Sequence, residues 1–339
     1  MSLFRRHVFY NKLTNGSTIL YTTTDGNVLD ISYPDIVSNT YENGQGILTF
    51  NKKMTIVPHI FADKSKLKTI VFPEDCTTFS QCAFWGDVRL EELHFLSPKL
   101  SIKNGSDPSL IQGLWYNTSN NSLKKIYSPN NSFDDNKCLV IDGILYCFAP
   151  GTIADDSEYT IPYNIHTIAG YTMSENSKIR KLNMHDNIKY IYRVGIGDNE
   201  GPWRGSYKFS CNIPNYIIYI DTGAFRMDNE NVNIVENLNI PATCEVIGNQ
   251  AFMRWNNLKT IHFYVPSTGL ILYYMPFESC KSVTDVYCHT EFPPTLYNSS
   301  VDIFDNDADP KLHIPIGTYK TYSDSEFGYQ FRGRIIEDL

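Results

Sequence analysis

One pattern constrains this chain more than any other. Apolar residues recur at relative positions 0, 4 and 7, often with Pro directly after the first. The sets are Phe72/Cys76/Phe79, Ile161/Ile165/Ile168, Met184/Ile188/Ile191, Ile213/Ile217/Ile220 and Ile240/Cys244/Ile247. Phe95/Lys99/Ile102 and Phe263/Ser267/Leu270 follow it with one polar substitution each. The segment LKTIVF (67–72) returns 23 residues later as LEELHF (90–95), and VENLNI (235–240) precedes LKTIHF (258–263) by the same step. Ala-Phe recurs at 83–84, 224–225 and 251–252, and an aromatic stands six residues before Leu67, Leu90 and Leu258. Such self-similarity at a fixed step is the mark of a repeat architecture.

The physical reading is a coil. A short strand of type LxxIxF points alternate side chains inward. Pro73, Pro162, Pro214 and Pro241 then end the strand, because proline cannot donate to the ladder. The 4 and 7 positions turn the chain across the next side. The Ala-Phe segment is expected to bring it back as a short helix or 3₁₀ turn. One repeat cannot bury its own apolar side, and stacked repeats bury it against each other. Each inward Ile or Phe then contributes about 1.5–3 kcal/mol.

Composition agrees and excludes several classes. Hydrophobic residues make up 42% of the 339, with 23 Tyr and 19 Phe, while charged residues are only 19%. That suits a β-rich protein of extracellular type. The net charge of −8 and the lack of a Lys/Arg block give no footprint for nucleic acid. No apolar run is long enough to span a bilayer, and the start, MSLFRRHVFYNKL, carries no secretory signal. The eight cysteines form no CxxC pair. Cys76 and Cys244 fall on core positions of the ladder. If Asp142-Gly143 closes a two-residue hairpin, Cys138 and Cys147 lie opposite each other and a cross-strand disulfide is geometrically open.

The units FPEDCTTFSQCAFWGDVRLEELHF (72–95) and IPATCEVIGNQAFMRWNNLKTIHF (240–263) resemble BspA-like leucine-rich repeats, typical of Bacteroides-type surface proteins and some parasites. CLVIDGILYCFAPG (138–151) with YTIPYNIHTIAGY resembles the hairpin insertion of such arrays. VYCHTEFPPTLYNSSVDIF (286–304) with KLHIPIGTYKTY (311–322) resembles their C-terminal cap, and ILYTTTDGNVLD (19–30) with IVSNTYENGQGILTF (36–50) an N-terminal module. The resemblance implies a β-rich repeat solenoid of short strands stacked in a parallel sheet. Its expected divisions are an N-terminal module at 1–45, the solenoid at 46–284 with a hairpin near 138–151, and a cap at 285–339.

The resemblance implies adhesion or binding and carries no catalytic residues. The sequence itself has no HExxH, GxSxG, GxxxxGK[ST] or GxGxxG. The run Asp305–Asp309 lacks the Gly and Glu of a calcium loop, so no metal or cofactor is expected. The outward strand positions form columns that include Glu92/His94, Lys125/Tyr127, Thr260/His262 and Asp285/Tyr287. They read either as a solvated sheet surface or as a binding face, with His94, Tyr127, His262 and Tyr287 as its stacking groups. Trp115 and Trp203 sit in irregular stretches at 103–122 and 192–209, where they contact a sugar or protein partner or anchor their loops.

Two roles follow. One is a non-catalytic recognition protein at a cell surface, binding protein or glycan on a host or bacterium. The other is a phage or prophage structural protein, fibre- or tail-associated, docked on neighbouring virion subunits or self-associating through residues 1–45. Neither is an enzyme.

Overall fold

A computed structural model describes residues 16–57, 59–103, 111, 113–114, 122–129, 136–173, 178–196, 209–227, 234–298, 302–305, 308–331 and 333–339. The chain is a parallel β-solenoid with little helix, arranged as two compact units, residues 1–153 and 154–339.

In the first unit three strands of type LxxIxF lie parallel: Leu67–Phe72, Glu92–Phe95 and Lys125–Tyr127. The 23-residue step is their register, with Ile70 beside Leu93 and Phe72 beside Phe95. Leu67, Ile70, Phe72, Leu90, Leu93, Phe95 and Ile126 point inward and are buried. The 7 position supplies a second parallel sheet, Ile56–Val57, Thr78–Ser80 and Ser101–Lys103. Three antiparallel strands extend the first sheet: Ile36–Glu42 pairs with Gln45–Phe50, which pairs with Thr18–Thr23, which pairs with Leu67–Phe72.

The second unit repeats the scheme. One set of parallel strands is Ser157–Thr160, Ile179–Asn183 and Ser210–Cys211. Another is Asn237–Ile240, Thr260–Phe263, Asp285–Cys288, Lys311–Ile314 and Ile335–Glu337. The 7 positions form a row of two-residue strands from Thr167–Ile168 through Tyr190–Ile191, Tyr219–Ile220, Val246–Ile247 and Ile271–Leu272 to Thr295–Leu296. The ladder residues fill the core: Ile161, Ile165, Ile168, Ile188, Ile191, Ile217, Ile220, Ile240, Cys244 and Ile247 are all buried. The two polar substitutions are explained locally. Lys99 and Ser267 face solvent while Leu100 and Val265 fill the core beside them.

The Ala-Phe segments differ from expectation. At the equivalent place His59–Phe61 forms a 3₁₀ turn; the Ala-Phe copies are single hydrogen-bonded turns, with Trp85 N–H donating to the Cys82 carbonyl, Arg226 to Gly223 and Met253 to Gln250. The N–H of each Phe bonds to the next rung instead of back along the chain. Phe84 donates to the Leu114 carbonyl, Phe225 to Ala251 and Phe252 to Pro276, at 2.8–3.0 Å. With every second donor committed between rungs, the turn cannot continue as a helix. Each turn is opened by a residue of positive φ just before the dipeptide, at Cys82, Gly223 and Gln250, and Met275 stands likewise before Pro276-Phe277. A second such residue, Asp63, Gly86, Arg254 or Ser279, stands two places after the aromatic. The aromatic rings stack from rung to rung: Phe225 lies 5.3 Å from Phe252, which lies 5.5 Å from Phe277, with planes 4° and 9° apart. Trp255 packs edge-on against Phe252 in the core, whereas Trp85 is exposed.

The hairpin Cys138–Ile141/Ile144–Phe148 closes through Asp142 and Gly143, both of positive φ as a type I′ turn requires. A bulge between Leu139 and Val140 shifts the register, so Cys138 faces Phe148 and Cys147 faces Leu139. The two cysteines are buried thiols that are not directly opposed, which corrects the expectation of a facing pair.

After Ile314 the chain forms two short helices, Tyr319–Ser323 and Glu326–Tyr329, the second capped by Ser325 Oγ accepting from Gly328 N at 2.9 Å. Phe327 and Phe331 join the aromatic core through Phe263 and Phe304. The strand Ile335–Glu337 then adds a last parallel rung.

Candidate functional site

On the second unit's five-stranded sheet, alternation sends Ile261, Phe263, Val286, Cys288, Leu312 and Ile314 into the core. Their neighbours therefore face outward. The register sets His262 beside Tyr287 and Tyr287 beside His313. The three rings form one stack, His262 to Tyr287 at 4.5 Å and 6°, Tyr287 to His313 at 4.4 Å and 17°. A second column runs alongside it. Tyr264 stacks on His289 at 4.5 Å and 9°, and His262 Nδ1 lies 3.0 Å from His289 Nε2.

Charge is placed at one end of this ladder. His313 Nε2 lies 2.9 Å from Asp285 Oδ1, and its Nδ1 lies 2.9 and 3.0 Å from the two oxygens of Asp338. Burial alone would raise the Asp285 carboxyl. Hydrogen bonds from Thr284 and His313, with the charges of His313 and Lys311, outweigh it and hold the group below its ordinary value. Burial, with Asp285 and Asp338 nearby, raises the Tyr287 phenol. Burial lowers His262 and His289, and each ring lies close to the other's nitrogen, so this end of the ladder favours uncharged imidazoles.

The first unit carries a smaller version. His94 stacks on Tyr127 at 4.3 Å and 21°, and its Nε2 lies 3.0 Å from Glu92 Oε2. The hydrogen bond from His94 is the main cause that holds Glu92 below the ordinary carboxylate value. Of the residues singled out from sequence, His262 and Tyr287 are thus adjacent in one unit, and His94 and Tyr127 in the other. Trp115 and Trp203 lie outside the described residues.

Sequence reasoning missed Tyr264, His289 and His313. The first two were one step away: Thr260/His262/Tyr264 and Asp285/Tyr287/His289 continue the same alternation by one outward position. A second surface was also missed. The residues flanking the 7-position Ile or Leu place Tyr190, Tyr192, Tyr219, Tyr273 and Tyr297 on the outside of the two-residue strands. Tyr273 stacks on Tyr297 at 4.4 Å, and Tyr192 lies 5.7 Å from Tyr219. Burial raises Asp221, whose carboxylate accepts from the Thr222 and Arg193 N–H groups and from the Tyr219 hydroxyl.

Chemically, the ladder offers aromatic faces, ring nitrogens and two engaged carboxylates. Burial pushes the thiols of Cys76, Cys82, Cys211 and Cys244 up to about 12, which leaves them un-ionised near neutrality. No helix among the described residues is long and apolar enough to cross a membrane.

A stack of short parallel strands with a buried aromatic spine and patterned outer columns defines a leucine-rich-repeat solenoid. The chain belongs to the BspA type leucine-rich repeat family, which matches in six copies over residues 36–106 and 206–318, slightly more than half of it. Among solved structures it is similar to the pneumococcal vaccine antigen PcpA, at 14% identity and a TM-score of 0.43, over 80% of this chain and 68% of that one. It is similar too to a leucine-rich repeat protein of Eubacterium ventriosum, at 16% identity and a TM-score of 0.37, over 77% of this chain and 60% of that one. A third, from Bacteroides ovatus, has 15% identity and a TM-score of 0.36, over 84% and 74%. No curated protein matches the chain.

Proposed function

We propose that this protein is a non-catalytic recognition or adhesion protein, and that its binding face is the outward side of the sheet carrying His262, Tyr264, Tyr287, His289 and His313. The observation behind this is the ring ladder itself. Four aromatic or imidazole side chains, His262, Tyr264, Tyr287 and His289, stand together on the outside of the sheet and the buried His313 ends their stack, with ring separations of 4.4–5.3 Å. The inward residues of the same strands, Ile261, Phe263, Val286, Cys288, Leu312 and Ile314, supply the core. Rigid aromatic rings provide contact area at low entropic cost, and imidazole and phenol groups add hydrogen bonds to a sugar or a polypeptide.

The experiment is a screen of the whole chain against glycan and host-surface protein arrays, repeated with His262→Ala/Tyr264→Ala/Tyr287→Ala. The variant is expected to keep the wild-type circular dichroism spectrum and to lose at least tenfold in affinity for whatever the wild type captures. Undiminished capture by the folded variant moves recognition off this face.

A further inference from the structure

The end of the ladder opposite His313 has a chemistry of its own. His262 closes the outward column of the strand Thr260–Phe263, and His289 follows directly on Asp285–Cys288, one rung further. Their sequence separation of 27 residues hides them from any metal-ligand spacing rule. Folding nevertheless brings His262 Nδ1 and His289 Nε2 to 3.0 Å, with ring planes 9° apart.

We infer that His262 and His289 together chelate a divalent transition-metal ion of the nickel, copper or zinc type. The nitrogen separation is the first argument. Metal–imidazole bonds of about 2.0–2.1 Å place two neighbouring nitrogens on one ion roughly 2.9–3.4 Å apart, depending on the bond angle. The second argument is the contact between the pair, which already brings one ring nitrogen to the other. In the hydrogen-bonded pair one proton lies between two nitrogens, and the ion takes the place of that proton while the rings turn to converge on it.

The third argument is the surroundings. Tyr287 stacks on His262 and Tyr264 stacks on His289, so each ring has an aromatic neighbour on one face. The acids at the other end of the ladder, Asp285 and Asp338, are already bonded to His313. On the core side the neighbouring groups are the Cys288 thiol and Tyr322, whose hydroxyl donates to the Thr290 carbonyl. Neither competes for the ion. Imidazole nitrogens select borderline ions such as nickel, copper and zinc over calcium or magnesium. Among the described residues no third His, Cys, Asp or Glu completes a cluster. The bound ion therefore keeps positions open to water or to a donor from another molecule. This site stands whether or not the ladder itself recognises a partner.

The test is calorimetric titration of the full chain with nickel chloride and with zinc chloride at pH 7.5. It is repeated for His262→Gln, His289→Gln and, as a control, His94→Gln. The expected result is one site of micromolar affinity, weakened at least tenfold by either of the first two substitutions and unchanged by the third. In parallel, copper added to the wild-type protein is expected to broaden the imidazole NMR signals of His262 and His289 first, a readout that needs no variant to fold. The inference is overturned by absence of saturable binding, by binding that survives both substitutions, or by broadening centred on other histidines.

Discussion

His313 reaches across a rung to Asp285, Nε2 to Oδ1 at 2.9 Å, while its other nitrogen holds Asp338 beyond the last strand. One side chain thereby ties three successive rungs of the second unit. Asp285 is partly buried, with a quarter of its side chain exposed, so the contact is neither a screened surface pair nor a sealed ionic one.

Asp285→Asn is expected to lower stability by about 1 kcal/mol at pH 7. The folded-state carboxyl is held below its unfolded value. Its contribution is therefore complete above the unfolded value of about 4 and is lost as pH falls through the depressed folded value. Urea denaturation of both proteins at pH 7 and pH 3 checks this. A gap between the two that is as wide at pH 3 as at pH 7 contradicts it.

Asp87 carries the opposite sign. Its Oδ1 accepts from the Lys64 N–H at 2.6 Å, and its Oδ2 is buried with no hydrogen-bond partner. Burial pushes this carboxyl up to about 8, against the Lys64 bond and with help from Asp63. The folded state thus binds a proton that the unfolded state releases near pH 4, and stability declines as pH rises from there through about 8. Asp87→Asn removes this slope and is expected to be more stable than the wild type at pH 9 by about 1–3 kcal/mol. Thermal melts at pH 6 and pH 9 decide it, and parallel shifts of the two proteins would sink the assignment.

Trp255 is completely buried, and its Nε1 donates to the Phe225 carbonyl on the preceding rung at 2.8 Å. Trp255→Phe leaves that carbonyl without its donor and a void beside Phe252. A loss of about 2–4 kcal/mol is expected from the two effects together. A chemical denaturation midpoint equal to that of the wild type would show that the rung-to-rung bond is dispensable.

Gly248 is buried against the preceding rung, and a Cβ there would run into the backbone at Thr222 N and the Asp221 carbonyl carbon, the latter at 2.6 Å. Backbone cannot yield as a flexible side chain can. Gly248→Ala is expected to cost about 1–3 kcal/mol and to disturb the turn that carries Asp221 and Tyr219. At Gly269, where φ is +94° and nothing lies within 4 Å, an alanine meets only backbone strain, worth about 1 kcal/mol. The ordering of the two melting temperatures is the measurement, and Gly269→Ala emerging as the more damaging change would refute it.

Much of this fold was legible because burial acts on a fixed period. Every strand of type LxxIxF had its inward residues named by alternation alone, and the 23-residue step reappeared as the register between Ile70 and Leu93. The hairpin turn was legible because only a few residue pairs tolerate two positive φ angles in succession. The failures have physical causes too. The bulge at Leu139 has no sequence mark, so the facing of Cys138 and Cys147 was misjudged. The Ala-Phe turns looked helical because the competitor for their N–H groups is the next rung, which local sequence does not reveal. His313 was missed because the step lengthens, from 23 residues between Asn237 and Thr260 to 25 between Thr260 and Asp285 and 26 between Asp285 and Lys311. His289 was missed because its partner lies on another rung.

That lengthening step has a consequence for how such a protein can change. Extra residues enter at the turns, yet Thr260, Asp285 and Lys311 remain in one line, as do His262, Tyr287 and His313. Length variation and surface chemistry are therefore uncoupled. A rung can gain residues without disturbing the outer columns, and a column can be rewritten one side chain at a time without touching the core. In such a scaffold specificity can diverge while the architecture stays fixed, much as type can be reset in a frame that is never rebuilt.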